Sequence, residues 1–173
     1  MAGEKLLIAG MGNDLCRDDG FGIAVVRRLA ELGAPEGARI YEAGIAGIGL
    51  VQELMDGFEA LVIVDTVDRD VPPGTVVLLE ASIPELDEFS EEIRRVMLAD
   101  THYTVPSRAL ILCQALGILP EKVYILGCRP VSCDLGIGLS PEVERAIPEA
   151  IRQLRELAAR LARGEAHVSG HPA

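Results

Sequence analysis

The stretch from Lys5 to Gly22 reads KLLIAGMGNDLCRDDGFG and places an apolar segment directly before a glycine-rich turn. The first residues, Lys5 to Ala9, are typical of a buried strand. Four glycines, at positions 10, 12, 20 and 22, indicate a backbone that bends close to another group. A helical pattern follows from Phe21. A strand, a glycine turn and a helix form the arrangement that binds phosphate through backbone N–H groups.

Two adjacent carboxylates in this turn argue against a phosphate ligand. One of them, Asp18 or Asp19, is expected to cap the following helix by accepting a backbone N–H at the positive end of the helix dipole. The other is not needed for capping, and together they repel an anion. We therefore expect the turn to accept a cation or a proton.

Short apolar runs and helical patterns alternate along the rest of the chain, which predicts a single-domain, three-layer α/β/α sandwich with a central, mostly parallel sheet of about five strands. We expect this domain to cover residues 1–163, with a flexible tail at 164–173. The acidic segment 82–103 is expected to be a long insertion that contributes to a site. The predicted strands lie at 6–9, 38–43, 60–65, 74–80 and 122–128, and the predicted helices at 21–32, 49–55, 107–116 and 141–162.

The composition excludes some partners. The 173 residues carry 27 acidic and 16 basic side chains, for a net charge of −11. Nucleic acid and anionic membranes require cationic patches, so neither is an expected partner. No apolar run approaches the roughly 20 residues that span a bilayer, so we expect no membrane insertion and a cytoplasmic location.

The four cysteines do not form a CxxC pair and are expected to be reduced and largely buried. Cys128 and Cys133 give only a weak signal for a soft metal site. Cys16 lies inside the opening turn, where we favour a buried small hydrophobe over a soft contact near a metal. The fourth cysteine is Cys113.

A second candidate carboxylate and one histidine follow from topology and counting. Asp65 closes the apolar run LVIVD, and ligands of open α/β sheets bind at the carboxyl ends of strands. His167 and His171 fall in the predicted tail, which leaves His102, in a loop before a helix, as the imidazole expected to be fixed in the fold. Asp65 as a turn cap and His102 as a surface residue are the alternatives. One imidazole and two carboxylates suit a borderline divalent metal.

A second glycine turn, EAGIAGIGL, follows the second predicted strand at 42–50. Either it lines the same edge of the sheet and offers backbone N–H groups to an extended peptide, or its glycines serve tight packing between strand and helix.

Four segments together resemble the hydrogenase maturation endopeptidases: GMGNDLCRDDGFG, EAGIAG, LVIVDTVD and THYTVPSRAL. The resemblance extends in order to about residue 160. It implies an endopeptidase that removes the C-terminal extension of the nickel-loaded precursor of a [NiFe] hydrogenase large subunit. Carried over by position, the residues that recognise nickel and serve catalysis are Asp19, Asp65 and His102, with Asp18 as a cap or a support. The nickel comes with the precursor, and no permanently bound cofactor is expected.

The hydrolytic mechanism stays open at this level. Either a carboxylate acts as general base or the metal lowers the pKa of a bound water. Two other functions are alternatives: a metal-binding assembly chaperone that uses the same three ligands without hydrolysis, and a nucleotide-binding α/β domain suggested by the glycine turn.

Overall fold

The computed structural model describes residues 5–45, 47–83, 88, 91 and 106–165. Within this part of the chain, five strands form one sheet in the order β2-β1-β3-β5-β4. The strands β1, β2, β3 and β5 run parallel to one another, and β4 pairs antiparallel with β5. The prediction of a mostly parallel, five-stranded sheet is confirmed. The strands are β1 (Leu6–Met11), β2 (Ala38–Gly44), β3 (Ala60–Thr66), β4 (Val76–Glu80) and β5 (Lys122–Cys128).

The helices match the predicted segments except at the C-terminal end. The helix predicted for 141–162 is divided into two, with a break at residues 145–146. Pro148 lies in the first turn of the second piece, and its missing N–H removes a hydrogen bond that a continuous helix would make. The helices are α1 (Phe21–Leu32), α2 (Gly47–Leu54), α3 (Pro106–Ala115), α4 (Pro141–Glu144) and α5 (Ile147–Ala162), and a 3-10 helix (Arg17–Gly20) precedes α1.

Helices cover both faces of the sheet, which confirms the predicted three layers. Alternate residues of β1 point to opposite faces, with Leu6 and Ile8 in one core and Leu7 and Ala9 in the other. The first core packs against α1 and α5, and the second against α2 and α3. β3 is apolar from Ala60 to Val64 because it is buried on both faces.

The order of the strands places the ends of β1 and β3 side by side. Gly10 pairs with Val64, so the turn after β1 and Asp65 at the end of β3 meet at the same edge. The chain leaves β1 toward β2 on one side, while β3 connects toward β5 and β4 on the other, which makes this edge the switch point of the sheet. Ligands of open α/β folds bind at such points.

No helix in the described part of the chain is long and apolar enough to cross a membrane. The tail predicted for residues 164–173 stays a prediction, since 166–173 lie outside the described residues. The same holds for most of the insertion predicted at 82–103.

Candidate active site

The turn after β1 is closed by Asp19. The backbone N–H of Asn13 donates both to the carbonyl of Asp19, at 3.2 Å, and to its carboxylate oxygen Oδ2, at 2.9 Å. The other carboxylate oxygen, Oδ1, has no donor among the described residues. The side chain is half-buried, so it is held at the end of a fixed turn and still reaches solvent.

Gly12 makes room for the backbone of Asp19 and for the carboxylate of Asp65. Its φ of +122° lies in the region that favours glycine. A Cβ at this position would overlap the carbonyl of Asp19 and lie 3.8 Å from Oδ1 of Asp65. Asp65 therefore lies at the same edge as the opening turn, as the parallel arrangement of β1 and β3 predicted.

Asp65 is a partly desolvated carboxylate. Burial raises its pKa to about 6, and the negative charge of Asp19 adds to this increase, whereas hydrogen bonds from Thr66 oppose it. The backbone N–H of Thr66 donates to Oδ1 of Asp65 at 2.7 Å. Such a shift is typical of functional sites, because a site that excludes water and gathers like charges destabilises the ionised form. Asp68 and Asp70, farther along the loop, are exposed.

Asp18 has a different environment from Asp19. The side chain is fully buried, and its oxygens accept hydrogen bonds from the backbone N–H groups of Val131, Ser132 and Ser140 at 2.8, 3.0 and 2.6 Å. The hydroxyl of Ser140 donates to it as well. Burial alone raises the pKa of Asp18, but these hydrogen bonds outweigh it and hold the pKa below its ordinary value.

The expectation that Asp18 or Asp19 caps α1 is therefore wrong. The N-cap of α1 is Gly20, and no side chain caps this helix. Both aspartates lie one turn earlier, in the 3-10 helix, where Asp18 points toward the loop after β5 and Asp19 back toward Asn13. The supporting role that the resemblance implied for Asp18 agrees with this geometry.

The loop 129–140, here called the β5 loop, forms one wall of the site. Besides its bonds to Asp18, it pairs with the opening turn through Arg17 N–H to Gly136 C=O and Gly136 N–H to Leu15 C=O, both 2.8 Å. Sequence reasoning did not find this contact. The available signal was Ser140 before Pro141, a pair typical of a helix start. Ser140 is the N-cap residue of α4, but its hydroxyl bonds to Asp18 and does not cap the helix.

The second glycine turn lies beside the first. The N–H of Gly12 donates to the carbonyl of Gly44 at 3.1 Å. This turn therefore lies at the same edge of the sheet, which was the first of the two alternatives predicted for it. Glu42 is not a candidate ligand, because its carboxylate pairs with Arg27 on α1.

The cysteines only partly fit the prediction of buried thiols. Cys113 and Cys128 are buried, and burial raises the pKa of each to about 11. Cys133 is exposed, and its pKa is raised by burial of the sulfur and by the charges of Asp19 and other nearby acids. Cys16 is half-buried and accepts a weak hydrogen bond from the Asn13 amide at 3.5 Å, so it is not the buried hydrophobe that we favoured.

His102, the third predicted ligand, lies outside the described residues, as do His167 and His171. Within residues 5–45, 47–83 and 106–165, no three His, Cys, Asp or Glu side chains are arranged to hold a metal ion. This part of the chain thus brings Asp19 and Asp65 together, and leaves His102 as a prediction.

Comparison with known proteins agrees with the fold and identifies a family. Residues 23–156 match the sequence profile of the HycI family, hydrogenase maturation protease. A hydrogenase expression/formation protein, HupD of Rhodobacter capsulatus, is 33% identical over 158 residues, which cover 88% of this chain and 72% of HupD.

Two solved structures have the same architecture. The hydrogenase maturating endopeptidase HybD from Escherichia coli superposes with a TM-score of 0.68 at 28% identity, covering 92% of this chain and 94% of HybD. The [NiFe] hydrogenase maturation protease HybD from Thermococcus kodakarensis gives a TM-score of 0.66 at 29% identity, covering 89% and 99% of the two chains.

The fold is an α/β sheet covered on both faces, with two acidic residues at its switch point. The chain belongs to the hydrogenase maturation protease family, and its enzyme class is that of the peptidases.

Proposed function

We propose that this protein is an endopeptidase that removes the C-terminal extension of the nickel-loaded precursor of a [NiFe] hydrogenase large subunit. Asp19, Asp65 and His102 recognise the nickel that the precursor carries, and the enzyme holds no permanent cofactor. The observation that carries the proposal is that Asp19 and Asp65 both border Gly12 at the switch point of the sheet, where the charge of Asp19 acts on the carboxyl group of Asp65. Family membership supports the processing of a hydrogenase precursor.

Two hard oxygen ligands and one imidazole suit nickel that arrives with some of its own ligands already in place. Because the two carboxylates lie close together, they repel each other, and the charge of Asp19 contributes to the raised pKa of Asp65. A bound divalent cation removes this repulsion. Binding of a correctly loaded precursor is thereby coupled to the electrostatics of the site, and cleavage becomes conditional on the metal.

Asp65 is also the better general base of the two described carboxylates. With a pKa of about 6 it is mostly ionised at pH 7, yet it accepts a proton more readily than an ordinary aspartate. The water that attacks the peptide bond then either gives its proton to Asp65, or has already lost its proton to solvent because the metal that binds it lowers its pKa. These two routes predict different behaviour of an Asp65 variant, which makes them separable.

The test combines binding and cleavage. Purified nickel-loaded precursor is mixed with the wild type, Asp19→Asn, Asp65→Asn or His102→Gln, and intact-mass spectrometry measures the loss of the C-terminal fragment. We expect each variant to cleave at least about 100-fold more slowly, as is common for residues of a hydrolytic site. Asp70→Asn, an exposed carboxylate in the loop after β3, and His171→Gln serve as matched controls and should cleave like the wild type.

The same samples separate the roles and the alternatives. A nickel-ligand variant loses the preference for loaded over unloaded precursor, whereas a general-base variant keeps this preference and loses only cleavage. Full activity of all three variants would refute the site. A wild type that binds the loaded precursor without shortening it would favour the assembly chaperone. We further propose a cytoplasmic location, which fits the four free cysteines.

A further inference from the structure

A pocket next to the proposed active site combines apolar walls with an arginine that has no ion-pair partner among the described residues. It has a volume of about 390 Å³ and lies between the opening turn, α1 and the β5 loop. Gly20, which follows Asp19 directly in the chain, forms part of its wall, so the pocket borders the turn that carries Asp19. We call it the Arg17 pocket; its main lining residues are Leu15, Arg17, Ile23, Arg27, Ile137 and Leu139.

The apolar part of this pocket is exposed to an unusual degree. Ile137 is 87% exposed, Leu135 beside it in the β5 loop is 84% exposed, and Leu15 across the pocket is 56% exposed. Single exposed hydrophobic residues are common, but three neighbours on two loops that are hydrogen-bonded to each other form a patch. Such patches beside a site mark surfaces that bind a partner.

The β5 loop is not free to fold these side chains inward. Asp18 binds both ends of the loop, at Val131 and at Ser140, and the opening turn binds its middle, at Gly136. The backbone that displays Ile137 is therefore fixed before any partner binds. A preformed apolar surface loses little conformational entropy on binding, which favours affinity.

Arg17 adds a positive charge to this surface. Its φ is +46°, the one positive value of a non-glycine residue among those described, and its side chain is exposed. The side chain extends across Gly136: a Cβ on that glycine would lie 3.0 Å from Nε of Arg17. Within the described part of the chain, Arg17 forms no ion pair. Asp14, the acidic residue that lines the pocket there, is paired with Arg27 at 3.1 Å.

We propose that the Arg17 pocket binds a segment of the hydrogenase precursor in which an aliphatic side chain lies next to a carboxylate. The aliphatic group packs against Leu15 and Ile137, and the carboxylate pairs with the guanidinium of Arg17, whose planar donors suit a carboxylate. The carboxylate belongs either to an acidic side chain or to the C-terminus of the extension. This inference rests on the proposed function for the identity of the partner, and it assigns the pocket a role in substrate selection and not in hydrolysis.

Binding decides this proposal, while cleavage decides the proposed function. The dissociation constant for the nickel-free precursor is measured by calorimetry with the wild type, Arg17→Asn and Ile137→Ser. Asn tolerates a left-handed backbone, so Arg17→Asn removes the charge without adding strain. We expect Kd to rise about 10-fold for Arg17→Asn, from the loss of a charge-assisted hydrogen bond, and about 5-fold for Ile137→Ser, from the loss of apolar contact.

Two matched controls exclude general effects of charge and hydrophobicity. Lys122→Gln removes a positive charge at the start of β5, at the opposite edge of the sheet, and Leu116→Ser removes an exposed aliphatic side chain just after α3. Both should bind like the wild type. In cleavage assays, Arg17→Asn should raise KM and leave kcat unchanged.

Synthetic peptides that cover the C-terminal extension identify the carboxylate. If Arg17 binds the terminal carboxylate, amidation of the C-terminus weakens binding to the wild type but not to Arg17→Asn. If Arg17 binds an acidic side chain, exchange of that residue for its amide has this effect instead. Wild-type affinity of both Arg17→Asn and Ile137→Ser, or no binding of the precursor to the wild type, overturns the proposal. Binding that depends on Arg17 without any cleavage would count only against the proposed function.

Discussion

Replacing Asp18 by asparagine tests the conclusion that this residue holds the active-site turn to the β5 loop. The two oxygens of the carboxylate accept four donors from Val131, Ser132 and Ser140, at 2.6 to 3.0 Å. In Asp18→Asn one oxygen becomes an NH2 group, so at least one buried backbone N–H loses its acceptor, at a cost of about 1–3 kcal/mol. The remaining bonds lose their charge assistance, at about 1 kcal/mol each for two bonds.

The expected loss of stability is therefore about 3–5 kcal/mol, which lowers Tm by roughly 6–20 °C in a protein of this size. Thermal unfolding followed by circular dichroism at pH 7 measures it. Asp70→Asn is the control, because Asp70 is exposed in a nearby loop, and its Tm should match the wild type within about 2 °C. Cleavage activity of Asp18→Asn should fall as well, since the turn that carries Asp19 loses its attachment.

The effect of pH gives a second, independent check. Because the pKa of Asp18 in the folded protein lies below the ordinary value of 3.8, the folded state favours the ionised form. The wild type is thus more stable than Asp18→Asn by the full amount above about pH 5, and this difference in stability shrinks as the pH falls through the folded-state pKa of Asp18. A Tm difference below 2 °C at pH 7, or one that grows toward low pH, would show that the carboxylate is not the group that holds the loop.

Three further predictions concern other sites. Asp65→Asn should stabilise the protein by about 1–2 kcal/mol at pH 8 and by nothing at pH 4. Because Asp65 has a folded-state pKa of about 6, the stability of the wild type falls as the pH rises from about 4 to 6. Measuring Tm as a function of pH for both proteins tests this. Gly22→Ala should cost about 1–3 kcal/mol in urea unfolding, since a Cβ there overlaps backbone carbonyls of β1 and β3. Gly49→Ala should cost less, because a Cβ there meets the end of the Tyr41 side chain, which can shift, and no backbone atom. Tyr124→Phe should leave the free energy of unfolding in urea unchanged or raise it, because the buried hydroxyl of Tyr124 has no hydrogen-bond partner among the described residues. A fall in this free energy of more than about 1 kcal/mol would reveal a partner.

The sequence was sufficient for the fold because each element has a local signal. β1 and β3 are uninterrupted apolar runs, as expected of parallel strands buried on both faces, and the helices between them show helical spacing of apolar residues. The main difference from the prediction is the break in the helix predicted for 141–162, which depends on Pro148. The spacing of apolar residues does not show whether this proline lies in the first turn of a helix or inside a longer helix.

The site was predictable only where topology alone determines it. Asp65 closes a strand, and parallel strands place it beside the opening turn whatever their side-chain packing is. The assignment of roles within the pair Asp18 and Asp19 depends on the β5 loop, more than 110 residues away in the chain. Long-range hydrogen bonds of this kind leave no periodic trace, so local reasoning expected one of the two aspartates to cap the helix, where the structure has Gly20.

The carboxylates of Asp18 and Asp65 affect the stability of the folded chain in opposite directions. Asp18 is surrounded by donors, has a lowered pKa and stabilises the folded chain as an anion. Asp65 is desolvated beside another negative charge, has a raised pKa and costs stability at neutral pH. The cation site that we propose would offset this cost, because a bound cation compensates the charge of Asp65. Loss of Asp18 should therefore lower stability and activity together, whereas loss of Asp65 should raise stability and abolish activity, and a cation that binds between Asp65 and Asp19 should stabilise the wild type more than Asp65→Asn.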